Sequence, residues 1–584
     1  MTNLEVAWLL NEIADLLEIK GENIYKIRAY RKGAKAIKNF SGDLLFLSKQ
    51  KKLQTIPGVG KSIAEKITEI VETGTSKYLE ELQREIPPGL RKMMRIPGLG
   101  PKSVSVIYKH LGITSLEELE RAARSRQIRN LPRMGSKTEL AILRGIDLLK
   151  RDYGKTPIGT ALPIAKFFKE QLESLPEVKK IEIAGSLRRG KEIVGDIDLI
   201  VATEKPETVI DVFTKNPQVK EVIAQGTKKS SVFTWTGVQV DLRAVEPDSF
   251  YTALHHFTGS QEHNLALREH GKNIGIKINE YGLFTTEKLF MFNDDVEEKL
   301  QVSSEKDIYK ILQMQYIPPE LREDNGEIEL ALRGELPNLV EKKDIKGDLH
   351  IHTNWSDGVN SIEEIVELAE KKEYQYIAIT DHSRNLKIAG GLSVEKLLKQ
   401  QEIIKQINKF QKKIKIFSGS EVDILPDGRL DYPDEILQKL DLVIASVHTH
   451  MKQDEEEMTE RVIKAIQNPN VDILAHPTGR ILGRREPFKI NIEKILKAAS
   501  ENNIALEINA SPDRLDLNDE YVKMAKELGI MIVINTDAHD PLRLEDIEYG
   551  IKVARRAGLE REDILNCLSV NEVEEWLKNR KLHG

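Results

Sequence analysis

From residue 347 to residue 540 the chain repeats one unit: a short apolar, β-branched run, a histidine or carboxylate at its end, then a longer amphipathic stretch. The runs lie at 376–380, 414–417, 442–446, 471–474, 504–508 and 531–535. Short apolar runs alternating with helix-patterned segments predict an α/β barrel of parallel strands. In such barrels the chemistry gathers at the carboxyl ends of the strands. There the sequence reads GDLHIHTNWSDG (347–358), ITDHS (379–383), GSEVD (419–423), SVHTH (446–450), AHP (475–477) and NTDAHD (535–540). His382, Glu421, His448, His476, Asp537 and His539 are the candidate ligands at the strand ends, so position and residue type both predict a multinuclear metal site.

One barrel does not account for 584 residues, so several domains are expected. The single cysteine, Cys567, excludes a disulfide framework and any thiolate zinc finger. With no long apolar run and no apolar leader, the expectation is a soluble, cytoplasmic protein that does not engage a membrane. The formal charge of -6 conceals an asymmetry: residues 1–150 hold 27 Lys and Arg against 17 Asp and Glu, and everything after them is acidic. A basic leading segment suits a polyanion, and an acidic remainder suits sites that gather divalent cations.

Residues 1–150 are helix-patterned and repeat one phrase: IPGVGKSIAEKI (56–67), IPGLGPKSVSVI (96–107) and, degraded, LPRMGSKTELAI (131–142). Glycines in a turn that opens a helix let backbone N–H groups approach an anion at the helix N-terminus. Gly58, Gly60, Lys61, Gly98, Gly100 and Lys102 are therefore candidate phosphate-backbone contacts, with Lys137 in the third copy. A hairpin used only for packing is the plainer alternative; the basic residues behind the glycines favour phosphate-backbone contact, and the pattern resembles the helix-hairpin-helix motif of DNA-binding proteins.

From about 155 to 246 strands appear at 181–186, 195–203 and 238–245. Asp196 and Asp198, two residues apart, share one face of a strand, and Asp241 reaches the same point from another. Three carboxylates on one face repel unless cations lie between them. GSLRRG (185–190) supplies glycine, serine and arginine after a strand, a small phosphate cradle, and HHFTGSQEHN (255–264) follows downstream.

On these motifs residues 1 to about 320 resemble a family X DNA polymerase of the polymerase beta type, and residues 341–584 resemble a polymerase and histidinol phosphatase (PHP) domain. The resemblance implies a multidomain α and α/β chain. It has all-α helix-hairpin-helix domains, a nucleotidyltransferase palm with a mixed sheet and a distorted (β/α)7 PHP barrel. The corresponding bounds are 1–85 (lyase-like), 86–152 (hairpin repeats), 153–246 (palm), 247–317 (nascent base pair), 318–340 (linker) and 341–584 (PHP). The segment 316–329 reads as a stiff connector with a solvated acidic ladder.

The polymerase resemblance implies that Asp196, Asp198 and Asp241 bind two Mg²⁺ or Mn²⁺ ions, with Asp241 assisting deprotonation of the primer hydroxyl. Gly185, Ser186, Arg189 and Gly195 would hold the triphosphate of a dNTP. His256, Phe257, Thr258 and Gly259 would line its sugar, and Asn264 and Arg268 the minor-groove side of the nascent pair. His256 replaces the family's tyrosine, Gln261 an aspartate and Gln239 an arginine, which leaves sugar discrimination open. Lys66 lies where the family's Schiff-base lysine lies, with Tyr30 beside it and Lys26, Arg31 and Lys61 as activating cations.

The PHP resemblance implies nine ligands, His350, His352, Asp357, His382, Glu421, His448, His476, Asp537 and His539, for up to three Mn²⁺ or Zn²⁺ ions. Six of the eight histidines after residue 341 lie on these positions. Glu421 would bridge, and Asp381 would support its neighbours. The implied activities are gap-filling synthesis on gapped or primer-template DNA and 3′–5′ exonuclease hydrolysis, extending to abasic-site incision, 3′-end cleaning and deoxyribose-phosphate lysis. A monomer is expected. A DNA-binding scaffold with relic sites, or a small-molecule phosphatase fused to another nucleotidyltransferase, are the alternatives; intact ligands and phosphate-gripping hairpins argue against them.

Overall fold

The computed structural model describes residues 3–38, 40, 44–73, 76–94, 96, 99–151, 155–288 and 295–583. Gly98, a candidate DNA contact, lies outside them. The chain forms two compact units, residues 1–153 with 483–485 and the remainder.

The first unit is helical among its described residues, and its hairpins share one turn. Val59 N–H donates to Ile56 O, Leu99 N–H to Ile96 O and Met134 N–H to Leu131 O, each at 3.0 Å. Helices then start at Lys61, Pro101 and Ser136, with the carbonyls of Gly60, Gly100 and Gly135 accepting the first helical bonds. The turn needs a left-handed residue, Gly58 at φ +97° in the first copy; in the third, Arg133 adopts φ +62°. The degraded repeat therefore keeps its shape at some cost in strain. Leu10, Ile13, Leu17, Ile67, Ile70, Val104 and Ile107 fill the core between helices.

The second unit contains a palm, a thumb-like lobe and a barrel. The palm sheet runs in the order Val178–Ile183, Ile197–Thr203, Gln239–Val245, Lys229–Thr234, Val219–Gln225. Its two central strands are parallel and the other neighbours antiparallel, so the sheet is mixed. Helix Ile158–Glu173 covers one face with Ala165, Phe168 and Leu172. The lobe combines helices Phe250–Thr258, Gln261–Asn273 and Glu305–Ile311 with an antiparallel three-stranded sheet.

The barrel is a seven-stranded parallel sheet in strict chain order, Gly347–Ile351, Tyr376–Ile379, Lys415–Asp423, Leu442–Ser446, Ile473–Leu474, Ala505–Asn509 and Ile532–Asn535. Every strand is buried almost throughout, as helices on the outside require, which is why the runs are apolar rather than alternating. A bridge between Ile351 and Ala538, with His352 N–H donating to Ala538 O at 2.9 Å, ties the end of the first strand to the segment just after the last and leaves the barrel nearly closed.

The linker 318–340, with the acidic ladder of 316–329 expected to be solvated, is packed. It forms a turn at Pro319–Leu321 and the helix Glu327–Arg333. Arg322 is fully buried, and Glu320 accepts from Arg555 at 2.7 Å. Glu320 and Glu323 face Arg555, Arg189 and Arg556, and Arg322 faces Glu305; these charges are buried in pairs rather than hydrated.

Candidate active sites

The palm brings its three carboxylates together. Asp198 and Asp241 are register partners on the parallel central strands, and Asp196 precedes the first of them. One oxygen from each lies within 4.8 Å of the others. Burial, with Asp196 and Asp241 beside it, pushes the Asp198 carboxyl up to about 7, and burial with Asp241 raises Asp196. Such repulsion is relieved by hard cations between the oxygens, so an all-oxygen donor set of this kind fits Mg²⁺ or Mn²⁺. Gln239 donates to Asp241 Oδ1 at 2.9 Å, and Lys229 lies 3.3 Å from Oδ2.

Gly185 closes in on this cluster with φ +63°, and a Cβ there would lie 2.2 Å from Asp198 Oδ2. Only glycine lets the cradle and the carboxylate approach so closely. Ser186 begins the turn, its carbonyl accepting from Lys191 N–H, while space is open around Gly195. Arg189 spends Nε on Glu323 at 3.0 Å and Nη1 on the Thr258 carbonyl at 2.5 Å. Phe257 lies under the Arg243 guanidinium, 4.2 Å away, and Gly259 turns at φ +71°. Asn264 donates to His256 O at 2.8 Å, and Arg268 Nη2 lies 3.1 Å from His256 Nδ1. His256, Asn264 and Arg268 line one small cavity with Thr252 and Leu283.

In the barrel, Glu421 stands at the centre of the histidines. Its Oε2 lies 2.8 Å from His382 Nδ1 and 3.5 Å from Nε2 of both His350 and His352; its Oε1 lies 2.9 Å from His476 Nε2 and 3.3 Å from His448 Nε2. Asp537 Oδ1 is 3.1 Å from His352 Nε2, and Asp357 Oδ1 is 3.4 Å from His539 Nε2 and 3.6 Å from His382 Nε2. Glu421 belongs to the body of the strand Lys415–Asp423 rather than to its end.

The cluster fits metal on its own polar atoms. Glu421 Oε2, Asp537 Oδ1, His352 Nδ1, His382 Nδ1 and His476 Nδ1 are buried and lack aligned hydrogen bonds, a cost that cations between them would remove. His476 at φ +29° and Asp537 at φ +53° hold left-handed backbone, strain of the kind that functional sites retain.

Several carboxylates behind the ligands set their orientation. Glu507, fully buried, lies 2.8 Å from His350 Nδ1, which turns Nε2 toward Glu421 and Asp537. It also accepts from Asn509 and Asn535. His539 Nδ1 donates to Asp537 O at 2.8 Å, and Asp423 lies 3.5 Å from His448 Nδ1. Asp381 accepts from Thr353, Ser356 and Gln400. Glu507 is not among the expected site residues; its signal is a charged residue inside the apolar run 504–508.

In the first unit Lys66 Nζ is paired with Glu69 at 2.9 Å and lies 5.6 Å from the Tyr78 ring, which Tyr30 also approaches. Lys26 donates to the Tyr78 hydroxyl at 2.6 Å. Arg31, expected as an activating cation, is instead spent on Asp15 and Glu18 at 2.8 Å each. Lys102 is three-quarters exposed at its helix start.

Comparison with known families agrees with this architecture. The chain matches a helix-hairpin-helix domain over residues 1–76 and a SAM-like helix-hairpin-helix tandem over 90–147. It matches the DNA polymerase beta palm over 157–254, the DNA polymerase beta thumb over 253–323 and the PHP domain over 348–511. It is 40% identical over 580 residues to a DNA polymerase/3′-5′ exonuclease PolX of Bacillus subtilis, covering 99% of this chain and 100% of that protein. It is also 35% identical over 245 residues to a probable phosphatase of Thermoanaerobacter sp., covering 40% of this chain and 95% of that protein.

Proposed function

The chain belongs to the family X DNA polymerases that carry a C-terminal PHP domain, and on that premise we propose how its two clusters divide the work of a DNA polymerase with a 3′–5′ exonuclease. Asp196, Asp198 and Asp241 hold two Mg²⁺ or Mn²⁺ ions for nucleotidyl transfer. The nine barrel residues hold Mn²⁺ or Zn²⁺ for hydrolysis. When bound, such ions neutralise phosphate charge and make a hydroxyl or water more acidic.

The remaining work falls to side chains. At the palm, Gly185, Ser186, Arg189 and Gly195 hold the triphosphate, and Asp241 takes the proton from the primer 3′-hydroxyl. Alignment of the reacting atoms supplies most of such a rate, since phosphoryl transfer asks little covalent help of the protein. His256 and Phe257 line the sugar, while Asn264 and Arg268 face the base pair. Both are supported by their bonds to His256, which fix them toward one cavity. In the barrel, His350, His448 and His539 present Nε2 because Glu507, Asp423 and a carbonyl engage their Nδ1 atoms.

The observation that carries this reading is the difference between the two donor sets. One is three oxygens that repel; the other is imidazole nitrogen around a central carboxylate whose Oε2 has no aligned hydrogen bond. The hairpins grip DNA backbone through their helix N-termini and Lys61 and Lys102. The favoured substrate is a short gap, with abasic-site incision and 3′-end cleaning as further work of the barrel. Lyase chemistry at Lys66 requires its pair with Glu69 to open first.

Two assays test the substrate reading. With dNTPs and Mg²⁺, extension on a one-nucleotide gapped duplex should outpace extension on a recessed primer; equal rates would refute the gap preference. Borohydride should trap an abasic duplex on the native chain and not on Lys66→Ala; equal trapping would remove Lys66 from that role.

A further inference from the structure

The phosphate cradle of the palm is held from the barrel side. Arg556 ends the helix Ile547–Arg556, which follows the last barrel strand. Its Nη1 donates to the backbone carbonyl of Arg189 at 3.0 Å and to Glu323 Oε1 at 2.8 Å, and its Nε donates to Asp519 Oδ2 at 2.8 Å. The same Glu323 oxygen accepts from Arg189 Nε at 3.0 Å, and its other oxygen lies 3.3 Å from Lys191 Nζ. All three partners are largely buried, at 8%, 12% and 14% exposure for Arg556, Arg189 and Glu323. Gly190 fits against this helix: a Cβ there would meet Lys552 and Arg556. A second barrel arginine, Arg480, grips Glu192 two residues further along the same loop.

We propose that Arg556, a residue of the PHP region, is a positioning residue of the polymerase site: through the Arg189 carbonyl and Glu323 it fixes the cradle arginine in its triphosphate-binding pose. This rests on the assignment of Arg189 to the triphosphate. An arginine side chain gives up considerable rotamer freedom when it is held in one pose. Ordering it before the nucleotide arrives shifts that cost from binding to folding. Two of its three nitrogens are already committed, Nε to Glu323 and Nη1 to Thr258 O, which leaves Nη2 for the ligand. Glu323 Oε1 is shared by Arg189 and Arg556, so both arginines are held against one common oxygen. The exonuclease half thereby contributes to nucleotide affinity at the other site while touching no nucleotide.

The test is single-nucleotide incorporation by the full chain on a gapped duplex, with the 3′–5′ exonuclease rate measured on the same preparations. Arg556→Met should raise the dNTP KM about ten-fold, the equivalent of one charge-assisted hydrogen bond, with a much smaller change in kcat and none in exonuclease rate. Arg556→Lys should recover part of the affinity. Asp519→Asn, which loosens Arg556 without touching the palm, should shift KM in the same direction by less. Because Arg556 acts through Arg189, Arg189→Ala/Arg556→Met should be no worse than Arg189→Ala. An unchanged KM in Arg556→Met, with KM raised in Arg189→Ala, overturns this inference and leaves the Arg189 assignment standing. An unchanged KM in Arg189→Ala overturns both. Parallel loss of polymerase and exonuclease in Arg556→Met, unrescued by lysine, overturns it in favour of plain cement between lobes.

Discussion

Glu305→Gln should loosen the lobe built on the helices Phe250–Thr258 and Glu305–Ile311. Glu305 is 7% exposed and accepts from Arg188 Nη1 at 3.0 Å and Nη2 at 2.5 Å, and from Arg322 Nη1 at 2.8 Å. Burial alone would raise its carboxyl, but Arg322 and Arg188 outweigh it and draw the group down to about 2. Against an ordinary 4.5, that is worth roughly 3 kcal/mol at neutral pH. Breaking a buried pair costs a similar amount, about 3–5 kcal/mol, because Arg322 has no exposed surface through which water could take the carboxylate's place. Hydrogen exchange read by mass spectrometry over the helices Phe250–Thr258 and Glu305–Ile311 should lose about 100-fold in protection. A depressed carboxyl stabilises fully above its unfolded value and loses that contribution as pH falls toward about 2. The gap in denaturant stability between native chain and variant should therefore shrink to less than half between pH 7 and about pH 3. Protection within about three-fold of native, or a gap that ignores pH, would refute this account of the ion cluster.

Gly185→Ala forces a Cβ into the Asp198 carboxylate and onto left-handed backbone. Primer extension should fall at least about 100-fold, while exonuclease activity persists. Retained extension would show that the carboxylate tolerates displacement. Glu507→Gln removes the carboxylate that orients His350. Mn²⁺ affinity of the barrel, followed by titration, should drop about 10–100-fold, with gap filling unchanged. Undiminished affinity would mean that Glu507 only packs.

The sequence carried the chemistry of both sites further than their architecture. The clustered histidines are legible because metal chemistry would restrict residue type and the barrel restricts position, and the two constraints coincide at His382, His448, His476 and His539. Asp196, Asp198 and Asp241 are legible for a similar reason: three carboxylates on one sheet face make no sense in an ordinary core. Glu507 escaped notice because its run scores as apolar, although a charge buried there is itself a signal. The partners of Arg189 were not legible at all. Glu323 and Arg556 stand 233 residues apart, and nothing local distinguishes them from solvated surface charges. The segment 318–340 was read as a spacer for the same reason: paired prolines and acids look hydrated until their arginines come from elsewhere in the fold.

Opposed phosphoryl chemistries at two separate sites of one chain are open to direct test. The most direct measurement follows one labelled primer on a gapped duplex, with and without dNTPs, for the native chain, Asp196→Ala and His352→Ala. Asp196→Ala should still shorten the primer and fail to extend it; His352→Ala should extend it and fail to shorten it. If either substitution removes both activities from a chain that remains folded, the two-site account is wrong.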